Sequence, residues 1–240
     1  MNITSKIIVL HTLRYADDKL IAECLSRTSG RVTFVVRISH STRATVRHTL
    51  FQPLAVLEAE WTVKPRGGMV TPKAVRTTLP YSTIHRDPKK TTVALFLSEM
   101  LLHVVRSDAG AAALFDYIEN SLEWLDTAEE GFANFHIVFL MRLSLFLGIA
   151  PNLERRTCPF FDLMAGEFST TPPPHAYYIE QREAAAFGQL MRMNFGTMRL
   201  FALTGEQRSR ILELVLLYYR LHLPAMPDLK SLDVLKAVFE

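Results

Sequence analysis

The stretch at residues 7–38, IIVLHTLRYADDKLIAECLSRTSGRVTFVVRI, decides the fold. Three apolar runs, at 7–10, 20–25 and 32–38, are separated by polar turns. The first turn carries Asp17 and Asp18. The second reads Ser26-Arg27-Thr28-Ser29-Gly30-Arg31, with Gly30 able to take a positive φ. Within the runs Leu20, Ala22 and Cys24 share one parity and Val32, Phe34 and Val36 another, as in antiparallel strands with one buried face. Further on, residues 51–61 (FQPLAVLEAEW) alternate again. A basic turn, Lys64-Pro65-Arg66-Gly67-Gly68, leads to a last strand within 69–79. Five strands in about 80 residues with basic loops fit a small barrel of the oligonucleotide-binding (OB) type; an SH3-like barrel has the same periodicity.

The class changes near residues 81–90. Asp87 before Pro88 is a helix start, with a side-chain acceptor at N-cap and a proline preset at N1. Apolar residues then recur at three and four through 106, and again through 111–125. Residues 131–147 are apolar nearly all round, which suits the centre of a bundle, and Gly148 with Pro151 ends that helix. Residues 152–178 are irregular, with three consecutive prolines at 172–174 and a candidate hairpin at Ala165-Gly166-Glu167. Helices are expected at 181–193, at 204–222 behind a Thr204/Gln207 capping box, and after Ser231. The reading is an α+β chain of two domains: an N-terminal five-stranded OB-type β-barrel over 1–80, and an α-helical domain over 81–240 with an irregular insertion.

The net charge of +3 is unevenly spread: residues 1–80 carry 12 Lys/Arg against 5 Asp/Glu, and the rest carries 15 against 19. A basic barrel joined to a mildly acidic helical part points to a polyanion at the barrel alone. The candidate phosphate contacts are Arg14, Lys19, Arg27, Arg31, Arg37, Arg43, Arg47, Lys64, Arg66, Lys73 and Arg76. Tyr15 beside Arg14 could stack on a base. Two cysteines, Cys24 and Cys158, make neither a disulfide framework nor a cysteine-rich metal site, and fit a reducing compartment. No signal peptide and no apolar run of membrane-spanning length is evident, so a cytoplasmic protein is expected. Phosphate-binding glycine loops, nucleophile elbows and zinc-protease motifs are absent. The eight histidines are scattered, and His40 and His48 share the basic loop without a carboxylate to orient them. Catalysis is not expected. Arg142 interrupts the apolar helix; it either snorkels outward or lines a surface pocket for an acidic ligand.

Several of these stretches, in this order and spacing, resemble the bacterial RecO family of recombination mediator and DNA-repair proteins. LHTLRYADDKLIAECLSRTSGRVTFVV is similar to that family's strand–acidic turn–strand–turn–strand. FQPLAVLEAEW looks like its next strand, and SEMLL sits on a helix similar to its first bundle helix. FLMRLSLFLGIAPNL ends in its Gly-x-x-Pro-x-Leu break, and KSLDVL resembles its closing motif. The resemblance implies binding of single- and double-stranded DNA and annealing of complementary strands. It also implies, with the partner RecR, loading of recombinase onto DNA coated by single-strand-binding protein. An acidic, Phe-ended tail of single-strand-binding protein would need an apolar pocket with a cation, for which Phe139, Arg142 and Leu143 are the candidates. Many members follow the Gly-x-x-Pro-x-Leu break with a four-cysteine zinc site. Here only Cys158, with His175 at a distance, is available, so no structural zinc is expected and packing by Phe160, Phe161, Leu163, Met164, Phe168, Tyr177 and Tyr178 must replace it. The competing reading is a protein-interaction scaffold that touches no nucleic acid. Arg27, Arg31, Arg43 and Lys64 on one continuous face would favour DNA, and their scatter would favour the scaffold.

Overall fold

The computed structural model describes residues 1–38, 46–64, 67–105 and 112–239. Two compact units result, Met1–Thr127 and Ala128–Glu240.

In the first unit, β1 (Asn2–Ala16), β2 (Lys19–Ser26), β3 (Gly30–Arg37), β4 (Val56–Thr62) and β5 (Pro72–Leu79) form an antiparallel sheet in the order β3-β2-β1-β4-β5. Just ahead of β5, Val70 closes the sheet on itself. The Val35 N–H donates to the Val70 carbonyl at 2.8 Å, and the Val70 N–H to the Thr33 carbonyl at 2.9 Å. This is the five-stranded OB-type barrel. Ile7, Val9, Ala22, Cys24, Phe34, Val36, Leu57, Ala59 and Trp61 fill it, with Phe34 and Trp61 edge to face. Burial pushes the Cys24 thiol far above its usual value, so it is an inert core group. β1 runs well beyond the apolar run at 7–10 and carries two irregularities in its pairing with β2. Gly30 sits at φ 66° in the β2–β3 turn.

The opposite parity of β1 is also buried, at Ile8 and Leu10. Helix α1 (Pro88–Val104) packs on this strand, and its Ser98 hydroxyl donates to the Leu10 carbonyl at 2.6 Å. Asp87 caps α1 as expected, accepting from the N–H groups of Lys89 and Lys90. Helix α2 (Ala112–Thr127) buries Phe115, Ile118, Leu122 and Leu125. Its Asp126 carboxylate accepts the N–H groups of Ser82, Thr83 and Ile84 at 2.8–2.9 Å and so fixes the segment between barrel and helices. These two helices share a unit with the barrel, although the change from strand to helix falls near residue 80.

In the second unit, α3 (Phe135–Phe146) is buried on almost every side, as its all-round apolarity implies. Helices α4 (Gln181–Leu190) and α5 (Gly205–His222) pack on it, and α6 (Leu232–Phe239) packs on α5. Thr204 and Gln207 form the expected capping box. The irregular segment holds a small sheet of β6 (Phe160–Asp162), β7 (Glu167–Ser169) and β8 (Tyr178–Glu180), in the order β7-β6-β8. Its first turn is the hairpin expected around Gly166, which sits at φ 69°. Phe161, Leu163, Phe168 and Ile179 are buried, and the Phe161 ring lies 4.8 Å from both Phe168 and Phe187. Phe160 and Tyr178 meet edge to face. Met164 and Tyr177 are exposed instead, because they lie on turns beside the strands.

Candidate nucleic-acid interface

The sheet register sorts the outer surface of the barrel into rows. One parity of β2 and β3 fills the interior, so Glu23, Ile21 and Lys19 on β2 face outward beside Thr33, Val35 and Arg37 on β3. On β1, Leu13 pairs with Ile21 and His11 with Glu23. Leu13, Ile21 and Val35 therefore make an apolar row across three strands, and Lys19 pairs with Arg37 one row further on. Leu13 is 56% exposed and Tyr15, near the β1–β2 turn, 63%. Met69 is exposed next to Val70, on the far side of β3.

The cations fall into two groups. Some meet neutral oxygens or a distant carboxylate. Arg14 donates to the Asp17 carbonyl at 3.3 Å, Lys64 to the Met69 carbonyl, and Lys73 to Asn2 Oδ1 at 3.0 Å. Arg37, 82% exposed at its side chain, lies 3.6 Å from Asp18. Lys19 is exposed with no ion pair among the described residues. The others are held by close carboxylates or helix carbonyls. Arg27 forms a two-pronged bond to Asp116 on α2 at 2.7 and 2.9 Å, which holds that carboxyl below its usual range. Arg31 bonds Glu23 and the Leu102 carbonyl of α1 at 2.8 Å, and the Val105 carbonyl lies within 3.4 Å. Arg76 pairs with Glu58 at 2.7 Å, and Lys6 with Glu119 of α2 at 2.6 Å.

So Arg27 and Arg31, two of the four residues whose common face would have favoured DNA, hold α2 and α1 against the barrel, which favours the scatter. Their side chains lie where the helices cover the sheet. Arg43 and Arg66 fall outside the described residues. Arg47 is exposed at the start of a 3₁₀ turn, His48–Leu50. What the structure brings together is Lys19 and Arg37 at the end of the apolar row, with Lys64 and Met69 beside β3; Arg14 pairs with inward-facing Leu20 and so sits at the barrel rim. The row itself was legible as the outer parity of β2 and β3, but exposure of Leu13 depends on where α1 stops.

In the second unit the proposed tail pocket needs correction. Phe139 and Leu143 are completely buried in α3 and cannot line a surface pocket. Arg142, between them, is half-buried and donates to the Met193 carbonyl at 3.4 Å. The exposed apolar residues lie at Leu145 and Phe146, three and four positions on. Among the described residues no three His, Cys, Asp or Glu side chains are grouped to hold a metal. Cys158 is half-buried and His175 pairs with Asp162 at 3.3 Å, so the residues present do not fit a four-cysteine cage.

With this geometry in place, two family profiles account for nearly the whole chain. Recombination protein O N terminal matches residues 1–81, and Recombination protein O C terminal matches residues 85–233. The chain belongs to the recombination protein O family. It is similar to the DNA repair protein RecO of Bacteroides fragilis, 45% identical over 235 residues covering 97% of each chain. The DNA repair protein RecO of Phocaeicola vulgatus is 43% identical over 234 residues, again 97% of each. That of Flavobacterium psychrophilum is 32% identical over 241 residues, covering both chains fully. The family's N-terminal profile coincides with the barrel, and its C-terminal profile begins just ahead of α1. Among the described residues no helix is long and apolar enough to cross a membrane.

Proposed function

We propose that this chain binds single-stranded DNA on the outer face of β1, β2 and β3, within the DNA-repair and recombination role that its family membership supports. The observation that carries the reading is the apolar row of exposed Leu13 and half-buried Ile21 and Val35, beside exposed Tyr15 and bordered by Lys19 and Arg37, with Arg14 at the barrel rim. An aromatic and apolar shelf takes unstacked bases, while cations at its edge take phosphates without reading sequence. The β1–β2 turn and the β4–β5 loop, which bears Lys64, flank the same face, where OB-type barrels hold oligonucleotides. Annealing follows from the same surface, because cations screen the repulsion between two strands. Recombinase loading with RecR belongs to the same reading, as does contact with single-strand-binding protein. For the latter's tail, Arg142 with the exposed Leu145 and Phe146 replaces the buried pair as the candidate. The chain acts by binding, without bond chemistry of its own, and needs no zinc. The aromatic packing around Phe161 holds the small sheet, so a chelator should leave its melting temperature unchanged.

The test is anisotropy of a labelled single strand titrated at several salt concentrations. Each phosphate contact contributes about 0.7 to the log–log salt slope, so Arg14→Ala/Lys19→Ala/Arg37→Ala should flatten it by about 2. An unchanged slope in the triple variant would place binding elsewhere. No binding at low salt would favour the scaffold reading, to which the helix contacts of Arg27 and Arg31 already lend weight.

A further inference from the structure

A second row of cations crosses the same sheet where the helices lie over it. Glu58 on β4 pairs in register with Lys6 on β1 and with Arg76 on β5. Arg27 lies next to Lys6, its N–H donating to the Lys6 carbonyl at 3.0 Å. Thr4, Ser5 and Thr28 share with Lys6 and Arg27 a surface cleft of about 410 Å³. Cations and hydroxyls of this kind are the usual partners of phosphate oxygens. Two carboxylates on one face of α2, Asp116 and Glu119, reach into the cleft beside Glu58 of β4 and pair with its two cations. The two-pronged carboxylate–guanidinium geometry at Arg27 is the one a phosphate would adopt.

We propose that α2 is an internal stand-in for a nucleic-acid backbone: Asp116 and Glu119 occupy Arg27 and Lys6, and so confine a bound strand to the exposed face of β1, β2 and β3. The Arg27–Asp116 pair, about half open to solvent on both sides, adds little to stability. The consequence of both pairs falls instead on what else the two cations can bind. Cleft and exposed face lie on one sheet with α1 packed on β1 between them, so unmasking the cleft adds a second contact for the strand beyond α1. The buried residues of α2 include Phe115, Ile118 and Leu122 and neither of the two carboxylates.

The inference rests on the single-strand reading above, and one set of titrations separates the two. The protein with Asp116→Asn/Glu119→Gln should bind a labelled single strand more tightly than the wild type. Its salt slope should be steeper by up to about 1.4, so its advantage shrinks about sevenfold between 50 and 200 mM salt. Adding Lys6→Ala/Arg27→Ala should remove the gain, whereas the same two changes in the wild type should alter binding little. Equal binding by wild type and neutralised variant would overturn the mask and leave the exposed face standing. A gain that survives loss of Lys6 and Arg27 would also overturn it, since it would then reflect net charge alone. Binding by the neutralised variant but not by the wild type would support the mask and sink the exposed face. Binding by neither would sink both. Should the double variant melt early, Asp116→Asn alone, at an exposed position, reads the same question with half the change in slope.

Discussion

Replacing Asp126 with Ala should unfasten the barrel's unit at one point, and the loss can be worked from the geometry. The Asp126 carboxylate accepts Ser82 N–H at 2.8 Å, Thr83 N–H at 2.8 Å, Ile84 N–H at 2.9 Å and the Thr83 hydroxyl at 3.1 Å. Its carbonyl accepts Lys90 Nζ at 3.0 Å. Alanine keeps the carbonyl and removes the carboxylate. Ser82 is exposed and recovers a water, but Ile84 is buried and its N–H is left without an acceptor. Bonds to charged groups are worth about 1.5–3 kcal/mol each, and a shared acceptor makes them less than additive, so a loss of about 3 kcal/mol is expected. For a chain of this size that is about 10 °C in melting temperature. Burial pushes the Asp126 carboxyl up, but the three N–H groups and the Thr83 hydroxyl together push it further down, so it lies below 3.8. A depressed carboxyl stabilises the fold above its unfolded value, and the contribution fades as pH falls below about 3.8 and through the folded value. Thermal melts followed by circular dichroism should therefore show a wide gap between wild type and variant at pH 7 that narrows towards pH 2. A gap below about 1 kcal/mol at neutral pH, or one indifferent to acid, would refute the clamp.

Three further outcomes can be checked independently. Tyr15→Ala should weaken single-strand binding by roughly 5- to 150-fold, the worth of one base–aromatic stack, without changing the salt slope; a changed slope would mean lost phosphate contacts instead. Gly166→Ala should lower the melting temperature of the helical unit, since φ is 69° and the added Cβ would stand 2.8 Å from the Tyr218 hydroxyl; Tyr218→Phe should soften the effect, and simple additivity of the two would contradict the contact. Burial, with Arg208 second, pushes the His136 imidazole down to about 3, so the unfolded chain takes up the extra proton as pH falls below about 6.5. Urea unfolding should then show about 2 kcal/mol less stability at pH 5 than at pH 7 from this site, and His136→Gln should flatten that slope.

Much of the architecture was legible in the residues. Turn chemistry at Asp17-Asp18 and Ser26–Gly30 marked the first hairpins, and helix caps at Asp87 and Thr204 fixed two starts within a residue. Alternation failed on β1, where Ile7–Leu10 is buried on both faces: one by the barrel interior, the other where α1 lies over it. For the same reason the strand's full length, from Asn2 to Ala16, was hidden. β8 went unseen because three residues after a proline run carry no period. At the candidate site, charge marks the barrel as basic but does not tell which of its cations stay exposed. Arg27 and Lys19 look alike in sequence; only the position of α2 makes one an ion-pair partner and leaves the other exposed. Lys6 drew no notice, because its partner Glu119 lies 113 positions away. Leu143 adjoins Arg142 and points to another side of the helix, and Phe139, a turn before it, is covered by the core, so the exposed residues are those three and four positions after Arg142.

The central claim is that a single strand lies on the exposed face of β1, β2 and β3. Photo-crosslinking of a bromodeoxyuridine single strand to the full chain, with adducts located by peptide mass spectrometry, tests it with no prior choice of residue. The account predicts adducts on the peptides bearing Tyr15 and Met69, lost at high salt and rearranged to include Lys6 and Arg27 when Asp116 and Glu119 are neutralised. Adducts concentrated on α3–α6, with none on β1–β3, would contradict it.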